Sequence, residues 1–401
     1  MIRNIDEQRA NLKAKMEKEI DAYFDSLKRS SAEENFDINT LEQLMLEQQT
    51  RVKATLNESN SELAGHIESQ VKKLPSISLN LTDLPYKMTK ELMLEVAFYG
   101  QNQSSFSDAS AMMERSLGME INKETIRCIT EDAGRRVFEA DTKRARHLIN
   151  NMHEIEDRVL YIMTDGASVN TRVEDENGST WRENKTVIVF TDKDLIKRKD
   201  GGNIIINKEY AAFIGSAEEF RGYVLSAAVN AGYGKIKEVV VIADGAAWIR
   251  NMVKELFPEA TQILDLYHLK ENIYTYAKYK FSQNEQKYVP WAENAIGKIE
   301  KGEAAEVLKL LPNEEKLPAG VVNLRTYIAN NIDKINYPEY KAKGYFVGSG
   351  AIESANKVIV QRRLKQAGMR WSVPGAQALL TLRAKVESGL WDRQVRPLLC
   401  A

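Results

Sequence analysis

Apolar residues along this chain change their spacing, and the change divides it. Leu12, Met16, Ile20 and Phe24 fall four apart, and Leu41, Leu44, Met45 and Val52 carry a similar stripe from Asn39 to about Val71. That spacing predicts two amphipathic helices. From Lys87 to about Asn150 the helical period continues with two breaks. Ser107 is placed to cap a helix carrying Ala111, Met112 and Leu117, and Gly118 supplies a turn. Asn122 is placed to cap the next helix, with Ile126 and Ile129 on its apolar face. Two short helices about a glycine turn outline a helix-turn-helix, which would present Lys123, Thr125 and Arg127 to a DNA major groove. An ordinary helical hairpin has the same outline.

At Arg158 the period becomes that of strands. RVLYIMTDG reads as a buried strand ending in Asp165, TVIVF (Thr186–Phe190) as a second and EYAAFIG (Glu209–Gly215) as a third. The turn DGGN (Asp200–Asn203) between the second and third fits an antiparallel start. A helix from about Ala217 to Ala231 precedes the strand IKEVVVIADG (Ile236–Gly245), which also closes on Asp-Gly. A helix from Trp248 to about Leu256, a short strand TQILD and a helix from Leu266 to about Phe281 complete the run. Three strands, helix, strand, helix, strand, helix is the order of an RNase H-like α/β core, a mixed five-stranded sheet flanked by helices.

Residues 282–343 hold no convincing strand and are punctuated by Pro290, Pro312, Pro318 and Pro338, which predicts an all-helical insertion. Beyond it, GYFVGSGAIESANKVIVQRRLKQAGMRW opens on a glycine-rich turn and enters a long helix. The expected organisation is an N-terminal helical arm (1–84, its end bracketed by Pro75 and Pro85 around SISLNLTDL) and a helix-turn-helix-like DNA-binding region (85–150). The first part of the core (151–281), the insertion (282–343) and the final part of the core with a basic C-terminal region (344–401) follow.

At 401 residues and 45.5 kDa the chain has room for two to four domains. Cys128 and Cys400 are its only cysteines, which excludes a disulfide framework and a cysteine-based zinc ribbon within one chain. No apolar run is long enough to span a bilayer, and the opening MIRNIDEQRANLKAK has no apolar leader core. The expectation is a cytoplasmic, nucleoid-associated protein with no membrane partner. The net charge of −1 conceals an asymmetry. Between Glu353 and Glu387 stand Lys357, Arg362, Arg363, Lys365, Arg370, Arg383 and Lys385 with no acidic residue among them. Such a one-sign stretch attracts polyanions, although a solvated helix face reads the same way.

Strands ending in Asp165 and Asp244 would bring both carboxylates to one sheet edge if the strands are neighbours. Glu353 lies in the first turn of a helix, near its positive end. Three carboxylates in one cleft repel one another unless a cation lies between them, and an oxygen-only donor set selects Mg²⁺ or Mn²⁺ over zinc. Two such ions about 4 Å apart suit in-line displacement at a phosphodiester. Asp265 and His268, three apart at a strand-to-helix junction, are candidates to support that site; a helix-start aspartate with a bonded histidine is the plainer alternative. Asn356 and Lys357, three and four residues beyond Glu353, would lie beside it, with Arg362, Arg363, Lys365 and Arg370 extending a DNA-binding surface. Trp248, Trp291 and Trp371 can stack on bases, though packing is the commoner role. No phosphate-binding G-x-x-x-x-G-K-[ST] string occurs.

Three strings carry a resemblance to a family. MTDGASVNTR with WRENKTVIVF, then VVVIADGAAWIRNMVKELFPEATQILDLYHLKENI, then GSGAIESANKVIVQRRLKQAGMRWSVPGAQALLTLRAKVESGLWD resemble bacterial insertion-sequence transposases of the DDE class. Within that class they are most similar to Kra/Lre-type groups allied to the Mutator superfamily, from about residue 87 to the C-terminus. The resemblance puts the catalytic and metal-binding triad on Asp165, Asp244 and Glu353, and the Asp-x-x-His element on Asp265 and His268. It implies Mg²⁺-dependent strand cleavage and strand transfer, terminal inverted repeats and target DNA as double-stranded partners, a helical insertion before the glutamate, and a homodimer or higher homo-oligomer. Some relatives carry an N-terminal cysteine-rich zinc segment that this chain lacks. A nuclease of the same fold without strand transfer and a repurposed sequence-specific DNA-binding protein are the alternatives.

Overall fold

The computed structural model describes residues 5–32, 38–71, 85–146, 156–199, 203–313 and 317–400. The chain divides into two compact units, Met1–Ile129 and Thr130–Ala401. The division falls inside a helix, earlier than the 150/151 boundary expected from the sequence. The segment between Pro75 and Pro85, apart from Pro85 itself, and the first three residues of the DGGN turn lie outside the described residues.

In the first unit, α1 (Ile5–Ser30) and α2 (Ile38–Val71) pair as a helical hairpin, with Lys15 reaching Glu62 at 3.1 Å. Then follow α3 (Lys90–Asn102), α4 (Phe106–Leu117) and α5 (Lys123–Arg146), the last crossing the division. The sequence places the cap of α4 two residues late. Ser105, in extended backbone, accepts from the Asp108 N–H, so Phe106 already begins the helix. The buried face is Ala109 and Met113, four apart, while Ala111 and Met112 are exposed and Leu117 is half-buried. Gly118 closes α4 with φ 66°, a conformation glycine adopts without penalty. Asn122 accepts from the Glu124 N–H at the start of α5, with Ile126 and Ile129 buried as expected.

The second unit is built on a mixed sheet. Its strands are β1 (Glu156–Asn170), β2 (Trp181–Thr191), β5 (Glu209–Ile214), β6 (Ile236–Ala243) and β7 (Thr261–Leu264); a separate ribbon of β3 (Leu195–Lys197) and β4 (Asn203–Ile205) lies between β2 and β5 in sequence. The sheet order is β5-β2-β1-β6-β7, with β2 antiparallel to both neighbours and β1, β6 and β7 parallel. Leu160, Ile162, Val187, Val189 and Val241 cover one face. They pack against Phe220 and Val224 of α6 (Ala217–Asn230) and Ile249, Met252 and Val253 of α7 (Ala247–Leu256). Burial of this apolar surface is the main favourable contribution to the core. Ser216 and Glu219 cap α6 reciprocally. Alternation along β1 sends Tyr161, Met163 and Asp165 to the other face, where Tyr161 lies 5.0 Å, centroid to centroid, from Phe346.

After β7 comes α8 (Leu266–Lys280). The helical stretch then contains α9 (Glu285–Glu300), α10 (Ala304–Lys309), α11 (Leu324–Asn330) and α12 (Tyr337–Ala342). The long helix expected after the glycine turn is less regular. It runs as α13 (Gly350–Asn356), one wide π turn (Lys357–Gln361) and α14 (Arg362–Leu364), and ends there. A buried helix α15 (Val373–Glu387) closes the unit on β5, with Gln377 bonded to both the Ile214 N–H and the Ala212 carbonyl; α16 (Arg396–Cys400) follows. No helix among the described residues is long and apolar enough to cross a membrane.

Candidate active site

Strand register gathers the acids. The β1–β6 register runs to Met163↔Ile242 and the β6–β7 register to Ala243↔Leu264. Counting on along each strand sets Asp165 beside Asp244, and Asp244 beside Asp265. Three aspartates on three adjacent parallel strands therefore share one sheet edge. The two Asp-Gly pairs sit in different local structures. Gly245, at φ 88°, turns the chain out of β6. Gly166 stays in β1, which continues to Asn170 rather than ending at Asp165, still paired with β2. A Cβ at Gly166 would stand 2.7 Å from a carboxylate oxygen at the mobile end of the half-exposed Glu183 side chain, which can swing aside, so neither packing nor backbone conformation demands glycine there.

Each aspartate is held differently. Asp165 Oδ1 accepts from the Gly166 N–H at 2.7 Å and Oδ2 from Asn356 Nδ2 at 2.8 Å. Burial raises its pKa and the Asp244 charge adds to the rise, against the Gly166 N–H, His268 and Asn356. Asp244 Oδ1 accepts from the Ala246 N–H at 2.9 Å, and its carbonyl accepts from the Tyr327 hydroxyl at 2.7 Å. Asp265 is fully buried as the N-cap of α8. Its Oδ1 accepts from the Tyr267 and Ser349 N–H groups and its Oδ2 lies 2.6 Å from His268 Nδ1. Burial opposes its charge, but bonds from His268, Ser349 and Tyr267 outweigh that and hold its pKa below the ordinary value. The bond to Asp265 is the main cause pushing His268 up to about 9, with the charges of Asp265, Asp165 and Asp244 adding to it. At neutral pH an imidazolium therefore faces two carboxylates.

A family model described as "Uncharacterised protein family (UPF0236)" matches residues 87–397. The chain belongs to UPF0236. It is also similar to a UPF0236 protein in the vanSb 3′ region of Streptococcus gallolyticus, 20% identical over 298 residues. That match covers 72% of this chain and 61% of the relative, so the chain spans about three fifths of the relative's length.

In this UPF0236 chain the structure brings together Asp165, Asp244, Asp265, His268 and Asn356, but not Glu353. Glu353 does lie in the first turn of α13 as expected, yet it is exposed, with Oε1 3.2 Å from Ser349 Oγ. Its charge is felt by Tyr267, which puts it at the rim. Among the described residues no three His, Cys, Asp or Glu side chains are gathered closely enough to hold a metal ion together. The donor set at Asp165 and Asp244 nevertheless fits a hard cation. Two carboxylates repel each other there, and beside them the buried Asn356 amide oxygen has no hydrogen-bond partner. Lys357 is exposed one turn beyond Glu353.

The basic stretch of this UPF0236 protein corrects the sequence reading. Arg362, Lys365 and Arg370 are exposed, but Arg363 is only 1% exposed, with its guanidinium 5.1 Å from the Trp371 ring centre. Arg363 is a packing residue and leaves the expected DNA surface, because the helix face it occupies turns inward. Arg383 and Lys385 are likewise buried, Arg383 donating to the Val358 and Ile359 carbonyls and Lys385 pairing with Asp141 at 2.9 Å. In the first unit Lys123 is exposed, Thr125 half-buried, and Arg127 paired with Glu124 at 2.8 Å. Trp371 is buried and bonded to the Leu364 carbonyl, Trp291 packs on Tyr276 and Phe281, and Trp248 on Phe220; packing accounts for all three.

Sequence reasoning missed Ser349, whose N–H clasps Asp265 and whose hydroxyl bonds Glu353. It also missed Tyr327 and Tyr337, which reach from the helical stretch to the carbonyls of Asp244 and Leu264. The only advance signal was the presence of tyrosines (Tyr288, Tyr327, Tyr337 and Tyr340) in a segment otherwise read as insertion.

Proposed function

We propose that this UPF0236 protein is a metal-dependent DDE transposase of an insertion sequence, binding terminal inverted repeats and carrying out DNA strand cleavage and strand transfer. The observation that carries this reading is the placement of Asp165 beside Asp244 on neighbouring parallel strands of a sheet ordered β5-β2-β1-β6-β7, the order of an RNase H-like core. Asp165 and Asp244 would hold Mg²⁺ or Mn²⁺, two ions in the full reading, with the Asn356 amide oxygen alongside and Glu353 as the donor at the rim. Such ions, when bound, activate an attacking oxygen and neutralise charge on a leaving oxygen.

The chain's own groups prepare that corner. Asp265 fixes the His268 ring through Nδ1, and the protonated ring keeps Nε2–H as a donor for a phosphate oxygen. Tyr327 pins the backbone at Asp244 and Asn356 orients Asp165. Lys123 at the start of α5 and the exposed Arg362, Lys365 and Arg370 supply phosphate contacts. The reading entails a cytoplasmic, nucleoid-associated protein that synapses two DNA ends as a homodimer or larger assembly.

A cleavage-and-joining assay on the DNA ends flanking the gene, with Mg²⁺, tests it. Asp165→Ala, Asp244→Ala and Glu353→Ala are each expected to lose cleavage and keep DNA binding; cleavage retained in any of them removes that residue from the site. Cutting without joined product would identify a nuclease of the same fold. One observation favours a DNA-binding protein without catalysis: Glu353 bonds Ser349 instead of meeting the aspartates. On that reading the wild-type chain binds the ends and leaves them intact.

A further inference from the structure

Trp181 is the large aromatic residue the site does not use, and it is 51% exposed. It opens β2 opposite Asn170, the last residue of β1. Both sheet neighbours have ended by this point: β6 pairs with β1 only to Met163, and β5 with β2 only from Asn184 onward. The tip is held instead by the segment following α14. Trp371 N–H donates to the Asn170 carbonyl and Arg172 N–H to the Trp371 carbonyl, while Lys365 Nζ lies 6.0 Å from the Trp181 ring centre.

Lys365 stands over this ring, and Arg172 and Arg370 flank the strand-end bonds, Arg172 Nε donating to the Arg370 carbonyl at 3.2 Å; all three are exposed and none is paired with a carboxylate among the described residues. Of the acids near the tip, Glu183 is taken by Lys185 at 2.7 Å and Asp175 by Arg182 at 3.3 Å, while Glu174 and Glu176 are exposed in the loop joining β1 to β2. A half-exposed indole amid unpaired cations matches a polymer whose every unit carries a flat ring and a negative charge. Five residues of strand separate Asp165 from Asn170, about 17 Å at 3.3–3.4 Å per residue. An acidic peptide would satisfy the cations but leave the indole face uncovered.

We propose that Trp181, with Lys365, Arg370 and Arg172, is a stacking seat for an unpaired nucleotide of single-stranded DNA. It deepens the DNA-processing reading above by naming a strand form that the ribbon end would hold away from the carboxylates. The seat is tested without divalent cations, so its failure is separable from failure of catalysis. Binding of a fluorescein-labelled 20-nucleotide oligo-dT and of a 20-base-pair duplex to the full chain would be followed by anisotropy across salt. Trp181→Ala is expected to weaken oligo-dT binding about tenfold and duplex binding less than about twofold, with Trp181→Phe near wild type. Lys365→Gln with Arg370→Gln is expected to flatten the salt slope for oligo-dT by about 1.4. Thermal melting of each variant checks that the fold is intact.

No binding of oligo-dT by the wild-type chain, equal affinity in Trp181→Ala, or an equal loss for duplex and single strand would overturn the proposal. So would polyglutamate displacing oligo-dT at comparable concentration. Wild-type protein that stacks oligo-dT through Trp181 yet never cuts element ends would remove the transposase reading and leave this seat standing.

Discussion

The aspartate corner and the Glu353 turn share Ser349, which bonds Asp265 through its N–H and Glu353 through its hydroxyl, and are built differently. Asp165, Asp244 and Asp265 are fixed by strand register, and each carboxylate accepts at least one backbone N–H. Glu353 is fixed by a short helix and one serine hydroxyl, and the turn carrying it borders a cavity of about 410 Å³ lined by Met163, Ile188, Ile205 and Phe346. Register transmits position across long separations in sequence, because one ladder aligns every residue of both strands. A helix start inherits its position from the turn before it. The difference predicts that the corner loses function with either carboxylate, whereas the rim tolerates loss of the serine that holds Glu353.

The comparison breaks first at the corner. Asp165→Ala or Asp244→Ala is expected to lower Mg²⁺-dependent cleavage about a thousandfold, measured as nicked product from element ends; Ser349→Ala, which keeps the N–H on Asp265 and frees Glu353, should lower it only severalfold. Activity equal in all three would abolish the distinction.

A second contrast lies within the basic stretch. Arg363→Ala is expected to destabilise the chain by about 2–4 kcal/mol, since it empties a buried site against Trp371. Arg362→Ala, on the exposed neighbour, should cost less than about 0.5 kcal/mol and instead flatten the salt dependence of DNA binding. Denaturant melts and binding isotherms separate the two.

The third is a pH effect at the corner. His268 binds its proton more tightly folded than unfolded, so its contribution to stability is full below its ordinary pKa of 6.5 and is lost as pH rises through about 9. Melting temperatures from pH 6 to 10 should fall over that window in the wild type, and the component due to this pair should vanish in His268→Ala. An identical profile in the variant would show that the imidazolium is not held as described.

Much of this was legible in the residues. Unbroken apolar runs at RVLYIM, TVIVF and VVVIA gave the three central strands, and the capped, periodic segments between them gave α6 to α8. Asp165 and Asp244 could be paired in advance because both follow such runs. The rest depended on three-dimensional phase. Gly166 looks like Gly245 in sequence, yet one lies within a continuing strand and the other turns the chain at φ 88°. Seven cations look alike along the chain, yet Arg363, Arg383 and Lys385 point inward. Trp181 lies ahead of the strand expected at Thr186–Phe190; β2 in fact begins at Trp181, beyond the pairing of β5 and β6, which leaves it exposed.

The wide turn at Lys357–Gln361 has a geometric consequence. Five residues there occupy what a regular helix would give to about four, so every side chain downstream is rotated by roughly 100° relative to Asn356. That offset lets one short rod direct an amide toward Asp165 and then bury the Arg363 guanidinium against Trp371. Deleting a single residue from the wide turn would restore an even screw, and either the amide or the guanidinium would then have to leave its present seat.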